Sequence, residues 1–126
     1  MSVKYNVVPK KNPQKPEDPP RYYPVVKSSG RTSQRGLAQK GSQISTLSSV
    51  DLAAALETLL TLIPQELMEG NIVELGDFGS FRLSVKADGS DKEVDVRANN
   101  IKNVNVRFTP GKEFKLALSR IIFEKL

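Results

Sequence analysis

The sequence contains no cysteine, no histidine and no tryptophan. Without cysteine and histidine it can form no disulfide, and it lacks thiol and imidazole nucleophiles and the commonest zinc ligands. No segment approaches the ~20 consecutive apolar residues that a membrane span requires. The first residues also lack the apolar core of a signal peptide. We therefore expect a cytoplasmic protein with no catalytic residues, no metal, no cofactor, no small-molecule substrate and no membrane partner.

Charge is distributed unevenly along the chain, although the net charge is only +5. Residues 1–36 carry eight Lys/Arg and two acids, a net of +6, whereas residues 37–80 sum to −5 and residues 81–126 to +4. An acidic middle between basic ends fits a protein whose ends face a polyanion. Composition alone leaves ordinary solvated surface charge as the alternative.

The N-terminal segment is rich in proline, with six of the eight prolines in residues 1–30. This density forbids a helix of useful length and predicts an extended basic arm. Two aromatic and β-branched patches, Tyr5–Val8 and Tyr22–Val26, indicate edge strands laid against a sheet. Disorder is favoured for residues 9–20. We thus predict a proline-rich basic extension over residues 1–30 and a folded domain over residues 31–126.

The domain begins with a helical pattern. A short first helix is predicted from Arg31, and a second from an N-cap at Ser48 or Ser49 to a stop at Gly70. The second helix is apolar on nearly all sides, which a small monomer cannot bury, so we expect a second subunit to cover it. Pro64 removes one helical hydrogen bond and predicts a kink or a restarted helix.

After Gly70 the apolar period changes to two, which predicts strands. A short strand over 72–75, a tight turn at Gly76–Asp77 and a strand over 78–85 are followed by a return through Val94, Val96, Val104, Val106 and Phe108. A phase slip near Asn99–Asn103 predicts a β-bulge. Thr109 and Pro110 predict the start of a last helix that carries an apolar stripe from Phe114 to Ile122.

This order of elements, with a Gly79-Ser80-Phe81 corner and a Pro110-Gly111-Lys112 helix start, resembles the HU/IHF family of bacterial histone-like DNA-binding proteins. The resemblance covers roughly residues 31–126. It implies an α+β, IHF-like fold in which a helical hairpin, a three-stranded β-ribbon and a C-terminal helix form an intertwined homodimer. It also implies a nucleoid-associated, architectural protein that binds double-stranded DNA with little sequence preference.

The resemblance assigns roles to individual positions. The dimer core would contain Leu56, Leu59, Leu60, Phe78 and Phe81. In the family two β-arms rise from a saddle and embrace DNA. The cations of the saddle, arms and last helix would therefore contact phosphates, namely Arg82, Lys86, Lys92, Arg97, Lys102, Arg107, Lys112 and Lys115. Because the domain itself is nearly neutral, we expect the N-terminal segment to supply much of the affinity. It would either follow the phosphates directly or lay its second Tyr-Val patch on the domain, so that Lys27, Arg31 and Arg35 extend the basic face.

The ribbon tip departs from the family pattern. In the family a basic-Asn-Pro-x-Thr-Gly motif places a proline between base pairs, but here the tip has no proline, so intercalation is not implied. It carries instead four acids that repel phosphate and lack the spacing of a calcium loop, Asp88, Asp91, Glu93 and Asp95. The alternative function is an HU-fold protein-interaction module with weak or no DNA binding, which would use sheet edges or the Tyr-Val patches.

Overall fold

The computed structural model describes residues 2–126 and shows a mixed α+β chain that divides into two compact units. One unit contains the residues up to Ser33 together with Ala117–Leu126, and the other is Gln34–Leu116. Over the described residues there are three α-helices and two three-stranded sheets, one sheet in each unit. The fold class predicted from the sequence is confirmed at this level.

The N-terminal unit is built on a sheet with strand order β2-β1-β6. Strand β1 (Val3–Lys10) pairs antiparallel with β2 (Arg21–Lys27), and β6 (Phe123–Lys125) pairs parallel with β1. The prediction that both Tyr-Val patches form strands is confirmed. Strand β1 is the centre of the sheet and not an edge, because β6 takes its second side. The intervening residues form two successive turns, so the prediction of disorder over residues 9–20 is wrong.

The end of the chain corrects the prediction of one helix through Ile122. Helix α3 (Lys112–Leu118) stops, and β6 follows. The reason is long-range pairing, because the Val3 N–H donates to the Ile122 carbonyl at 2.8 Å and the strand satisfies backbone groups that a longer helix would satisfy internally. The Lys4 ammonium, with the Ser2 hydroxyl, lowers the pKa of Glu124 on β6 below its usual value.

The second unit opens with two helices, α1 (Gln34–Ile44) and α2 (Ser49–Met68). The predicted N-cap is confirmed, since the Ser48 hydroxyl accepts the Asp51 N–H at 3.1 Å. Helix α2 continues through Pro64 without the restart that was one of the two predicted outcomes. The two helices pack against each other where Ala38 is buried.

The second sheet has the order β3-β4-β5, with β3 (Val73–Glu74), β4 (Gly79–Ala87) and β5 (Ile101–Pro110), all antiparallel. A 3₁₀ turn at Gly76–Phe78 replaces the predicted two-residue turn. The bulge is confirmed, because the register shifts by one residue at Lys86/Ala87. The predicted start of α3 at Thr109 is wrong, since β5 continues to Pro110.

The ribbon tip also differs from the prediction, because Val94 and Val96 lie outside the strands. Residues 88–100 contain two short 3₁₀ turns, and the Asn100 side chain makes three hydrogen bonds across this segment. Its amide donates to the Asp88 carbonyl at 2.8 Å and to Ser90 Oγ at 3.0 Å, and its oxygen accepts the Arg97 N–H at 2.9 Å. These local bonds replace the cross-strand ladder, which ends at Ala87 opposite Ile101.

Gly111 lies between β5 and α3, where its backbone passes close to the backbone of Asp77. A Cβ built on Gly111 would lie 2.2 Å from the Asp77 carbonyl oxygen, whereas one built on Gly89 would meet nothing within 4 Å. Because the clash is with backbone that cannot rotate away, Gly111→Ala should lower the free energy of unfolding by about 2–4 kcal/mol. The measurement is unfolding in urea, monitored by circular dichroism. Gly89→Ala is the matched control and should change stability by less than about 1 kcal/mol; equal stabilities of the two variants would contradict the prediction.

Candidate nucleic-acid interface

The β4–β5 ribbon has two chemically different faces. Residues that are directly opposite in an antiparallel pair project on the same side, and the sides alternate along each strand. One face is apolar, formed by Phe81, Leu83, Val85, Val104, Val106 and Phe108. The other face is polar, formed by Ser80, Arg82, Ser84, Lys86, Asn103, Asn105, Arg107 and Thr109.

The polar face carries three cations, and neither strand contributes an acid to it. Arg82 lies directly opposite Arg107, and Lys86 lies opposite Asn103. Like charges directly opposite each other destabilise a sheet, so the Arg82–Arg107 pair costs stability unless an anion lies between the two side chains. Arg107 Nε donates to Ser84 Oγ at 3.4 Å on this face. The face therefore has the charge and the donors that phosphate groups require.

The other predicted cations are all exposed but are not gathered on this face. Lys102 lies at the bulge and its ammonium is 3.5 Å from an Asp88 carboxylate oxygen. Lys92 and Arg97 lie in the irregular tip, close in sequence to its acids, and the last helix carries Lys112 and Lys115. Of the remaining three, Lys27 lies on β2, Arg31 lies before α1 and Arg35 lies in α1.

The predicted dimer-core residues fall into two groups. Phe78 and Phe81 pack within the chain in an aromatic cluster, with ring centroids 5.5 and 4.9 Å from Phe108, respectively. The other three lie on α2, where Leu56 is partly buried and Leu59 and Leu60 are 46% and 49% exposed in the isolated chain. Among the described residues Ala38 and Leu67 are the only buried hydrophobic residues, at 4% and 5% exposure. A single chain therefore leaves most of its large apolar side chains partly in solvent.

The positive charge is concentrated in the N-terminal unit. Counting whole residues from the sequence, that unit contains nine Lys/Arg and three acids, a net of +6, whereas the unit Gln34–Leu116 contains ten Lys/Arg and eleven acids, a net of −1. Clusters of positive charge are the electrostatic signature of nucleic-acid binding. The basic face of the ribbon is thus a local feature, because the rest of this unit carries seven Lys/Arg and eleven acids, a net of −4.

A family model described as an HU domain fused to wHTH, Ig, or a glycine-rich motif, HU-HIG, matches residues 1–125. The chain belongs to the HU-HIG family. The match confirms the resemblance to HU proteins, and it covers the N-terminal strands as well as the helices and ribbon. The β4–β5 ribbon described above therefore lies within the matched residues.

The HU-HIG chain is also similar to a solved structure. That crystal structure is of a Bacteroides vulgatus protein described as a candidate bacterial DNA-binding protein, with a TM-score of 0.69 and 13% identity. The similarity covers 99% of this chain and 48% of the other, so the chain spans about half the length of the structure it matches. No curated protein matches the sequence. In residues 2–126 no helix has the length and apolar character needed to cross a membrane.

Sequence reasoning overlooked two sets of residues in this HU-HIG chain. It related Asn100 only to the predicted bulge and did not predict the side-chain bonds that Asn100 makes across the ribbon tip, although asparagines in a loop favour such bonds to the backbone. It expected the cations of the N-terminal segment to raise the affinity for DNA, but it did not predict that Lys10, Lys11, Lys15 and Arg21 line one concavity. Pairing of β1 with β2 was needed to show that those cations lie together.

Proposed function

We propose that this HU-HIG chain is a non-enzymatic, architectural DNA-binding protein that acts on double-stranded DNA as a homodimer, with little sequence preference and in association with the bacterial nucleoid. The observation that carries the proposal is the polar face of the ribbon, where Arg82, Lys86 and Arg107 share one side of β4–β5 with no acid from either strand. Contacts from these cations go to phosphates, which carry no sequence information.

The neutral residues of the same face support binding to the DNA backbone. Ser80, Ser84, Asn103, Asn105 and Thr109 place short hydroxyl and amide groups between the cations. Such groups bond to phosphate and sugar oxygens and fix the position of a protein on the duplex. The base sequence of the DNA would affect affinity only through the ease with which the duplex bends, and this effect needs no contact with the bases.

The homodimer part of the proposal rests on the exposed apolar surface of α2 and the ribbon. Leu59, Leu60 and Leu62 on α2 are each nearly half exposed, and Val85 and Val106 on the apolar ribbon face are more than half exposed. A soluble chain of this length cannot leave so much apolar surface in water and remain stable. A second copy of the chain supplies a matching surface in a two-fold symmetric arrangement.

A salt titration tests the proposal. The full chain is mixed with two fluorescein-labelled duplexes of unrelated sequence, and anisotropy is measured at increasing sodium chloride. We expect similar affinities for both duplexes and a logarithm of affinity that falls linearly with the logarithm of salt, by about 0.9 per phosphate contact. A flat salt dependence, or strong preference for one duplex, would contradict the proposal.

A second candidate function is protein interaction through the N-terminal sheet. One side of this sheet is an apolar concavity of about 570 Å³ lined by Tyr5, Val7, Tyr22, Val26 and Phe123. Tyr22 is 68% exposed there, and large exposed aromatic patches mark interaction sites. Replacing Tyr22 with serine distinguishes the two functions, because it should leave salt-dependent DNA binding unchanged if the ribbon is the interface.

A further inference from the structure

The β1–β2 hairpin ends in a basic concavity that the ribbon site does not include. It has a volume of about 690 Å³, and its lining includes four cations, one acid and one aromatic ring: Lys10, Lys11, Lys15, Arg21, Asp18 and Tyr23. Lys10 and Arg21 are directly opposite each other in the strand register, and Tyr23 follows on the same face of the sheet. The concavity belongs entirely to the N-terminal unit.

The four cations outnumber the one acid of the concavity, Asp18. In residues 2–126 no ion pair involves Lys10, Lys11, Lys15 or Arg21, although Lys4 on the same strand is paired with Glu124. The Lys10–Arg21 pair is a like-charge cross-strand pair, which costs stability in the same way as Arg82–Arg107. An anion bound between the strands would offset that cost.

The turn that carries Lys11 and Lys15 has a defined conformation. The Asn12 carbonyl accepts the Lys15 N–H at 3.1 Å, the Lys15 carbonyl accepts the Asp18 N–H at 3.1 Å, and the Asn12 side-chain oxygen accepts the Gln14 N–H at 3.0 Å. The Lys10 ammonium lies 5.7 Å from the centre of the Tyr23 ring, an arrangement in which the ring attracts the cation. The cations are therefore presented on a structured turn, which reduces the entropy lost on binding.

We propose that the end of the β1–β2 hairpin is a second nucleic-acid site, which binds the phosphodiester backbone through Lys10, Lys11, Lys15 and Arg21. This inference rests on the proposed function, because it takes DNA as the polyanion. It adds a second DNA contact, at the hairpin, to the one proposed for the polar face of the ribbon. The net charge of +6 in the N-terminal unit, against −1 in the rest, makes this unit the main source of long-range attraction for DNA, and the hairpin holds four of its nine cations. The Tyr23 hydroxyl adds a donor of the kind that bonds to phosphate.

The test uses point substitutions in the full chain, because removal of residues 1–20 would delete β1, the central strand of its sheet. The test variant is Lys11→Gln with Lys15→Gln, both exposed and in the turn. The charge-matched control is Lys40→Gln with Lys125→Gln, which lie outside both sites. Lys11→Arg with Lys15→Arg keeps the charge, and circular dichroism verifies that all variants fold.

Anisotropy of a fluorescein-labelled duplex of unrelated sequence is then measured at increasing salt. We expect the test variant to bind about tenfold or more weakly and its salt slope to fall by about two units, while the charge-matched control changes little and the arginine variant binds like the wild type. If the wild type binds with a steep salt dependence but the test variant matches the control, the hairpin site is wrong and the ribbon proposal stands. If the wild type binds no duplex, both are wrong.

Discussion

Replacing Leu60 with aspartate should unfold the chain and should not release a folded monomer. Leu60 lies on α2 and is 49% exposed in a single chain, so on a monomer the change would place a charge in water at little cost. In a homodimer that covers α2, the same carboxylate would be buried without a partner, which costs several kcal/mol. A chain that has no stable monomer loses its fold when its interface is lost. The outcome therefore depends on the second subunit.

Circular dichroism measures the helical content of each variant, and light scattering at micromolar protein concentration measures its molecular mass. Thr58→Asp is the matched control, because it adds the same charge two positions earlier on α2, where the threonine hydroxyl donates to the Ala54 carbonyl at 2.8 Å. We expect Leu60→Asp to lose helical signal while Thr58→Asp keeps both its fold and its size. A helical Leu60→Asp protein with the mass of one chain would exclude the obligate homodimer.

Neutralising the polar face of the ribbon should give the second large effect. The variant Arg82→Gln, Lys86→Gln and Arg107→Gln removes three cations that lie on one side of β4–β5. Loss of three phosphate contacts should lower the salt slope by about three units and the affinity by roughly a hundredfold at low salt. The change should also relieve the like-charge pair Arg82–Arg107, so stability should not fall. Anisotropy with two unrelated duplexes should show the same loss for both.

The ribbon tip provides the comparison for this variant. The comparison variant carries three substitutions at the tip, Lys92→Gln, Arg97→Gln and Lys102→Gln. It loses the same net charge as the ribbon-face variant. However, the first two cations lie among acids, and the Lys102 ammonium is 3.5 Å from the Asp88 carboxylate. Because a carboxylate nearby offsets the attraction of a cation for phosphate, we expect this second variant to lose much less affinity. Equal losses in the two variants would mean that net charge, and not the polar face, governs binding.

The family match and the structural similarity concern the fold of the chain more than its activity. The HU-HIG model covers residues 1–125 and shows the family, and the solved structure, at 13% identity, shows a similar fold. The proposals on DNA, on the homodimer and on the hairpin rest instead on charge, register and exposure in this chain. Each of them is tested by its own variant, so one can be wrong without the others.

The sequence was sufficient wherever a few neighbouring residues decide the structure. The Ser48 cap depends on one hydroxyl and the N–H of Asp51, and the change of apolar period after Gly70 reveals the strands of the ribbon. The bulge near Asn103 is visible as a slip in that period. The HU-type order of these elements then indicated the family. All of these signals are local, so the amino-acid order contains them directly.

Tertiary structure alone decided the rest, because the deciding partners are far apart in the chain. Ile121 and Ile122 continue an apolar helical stripe, yet the chain leaves α3 after Leu118 and β6 pairs with β1, more than a hundred residues earlier. The hairpin cations around Tyr23 come together only when β1 pairs with β2. Helical periodicity carries no information about a strand that can supply hydrogen bonds from the other end of the sequence, so the backbone bonds available in the folded chain outweigh the local pattern.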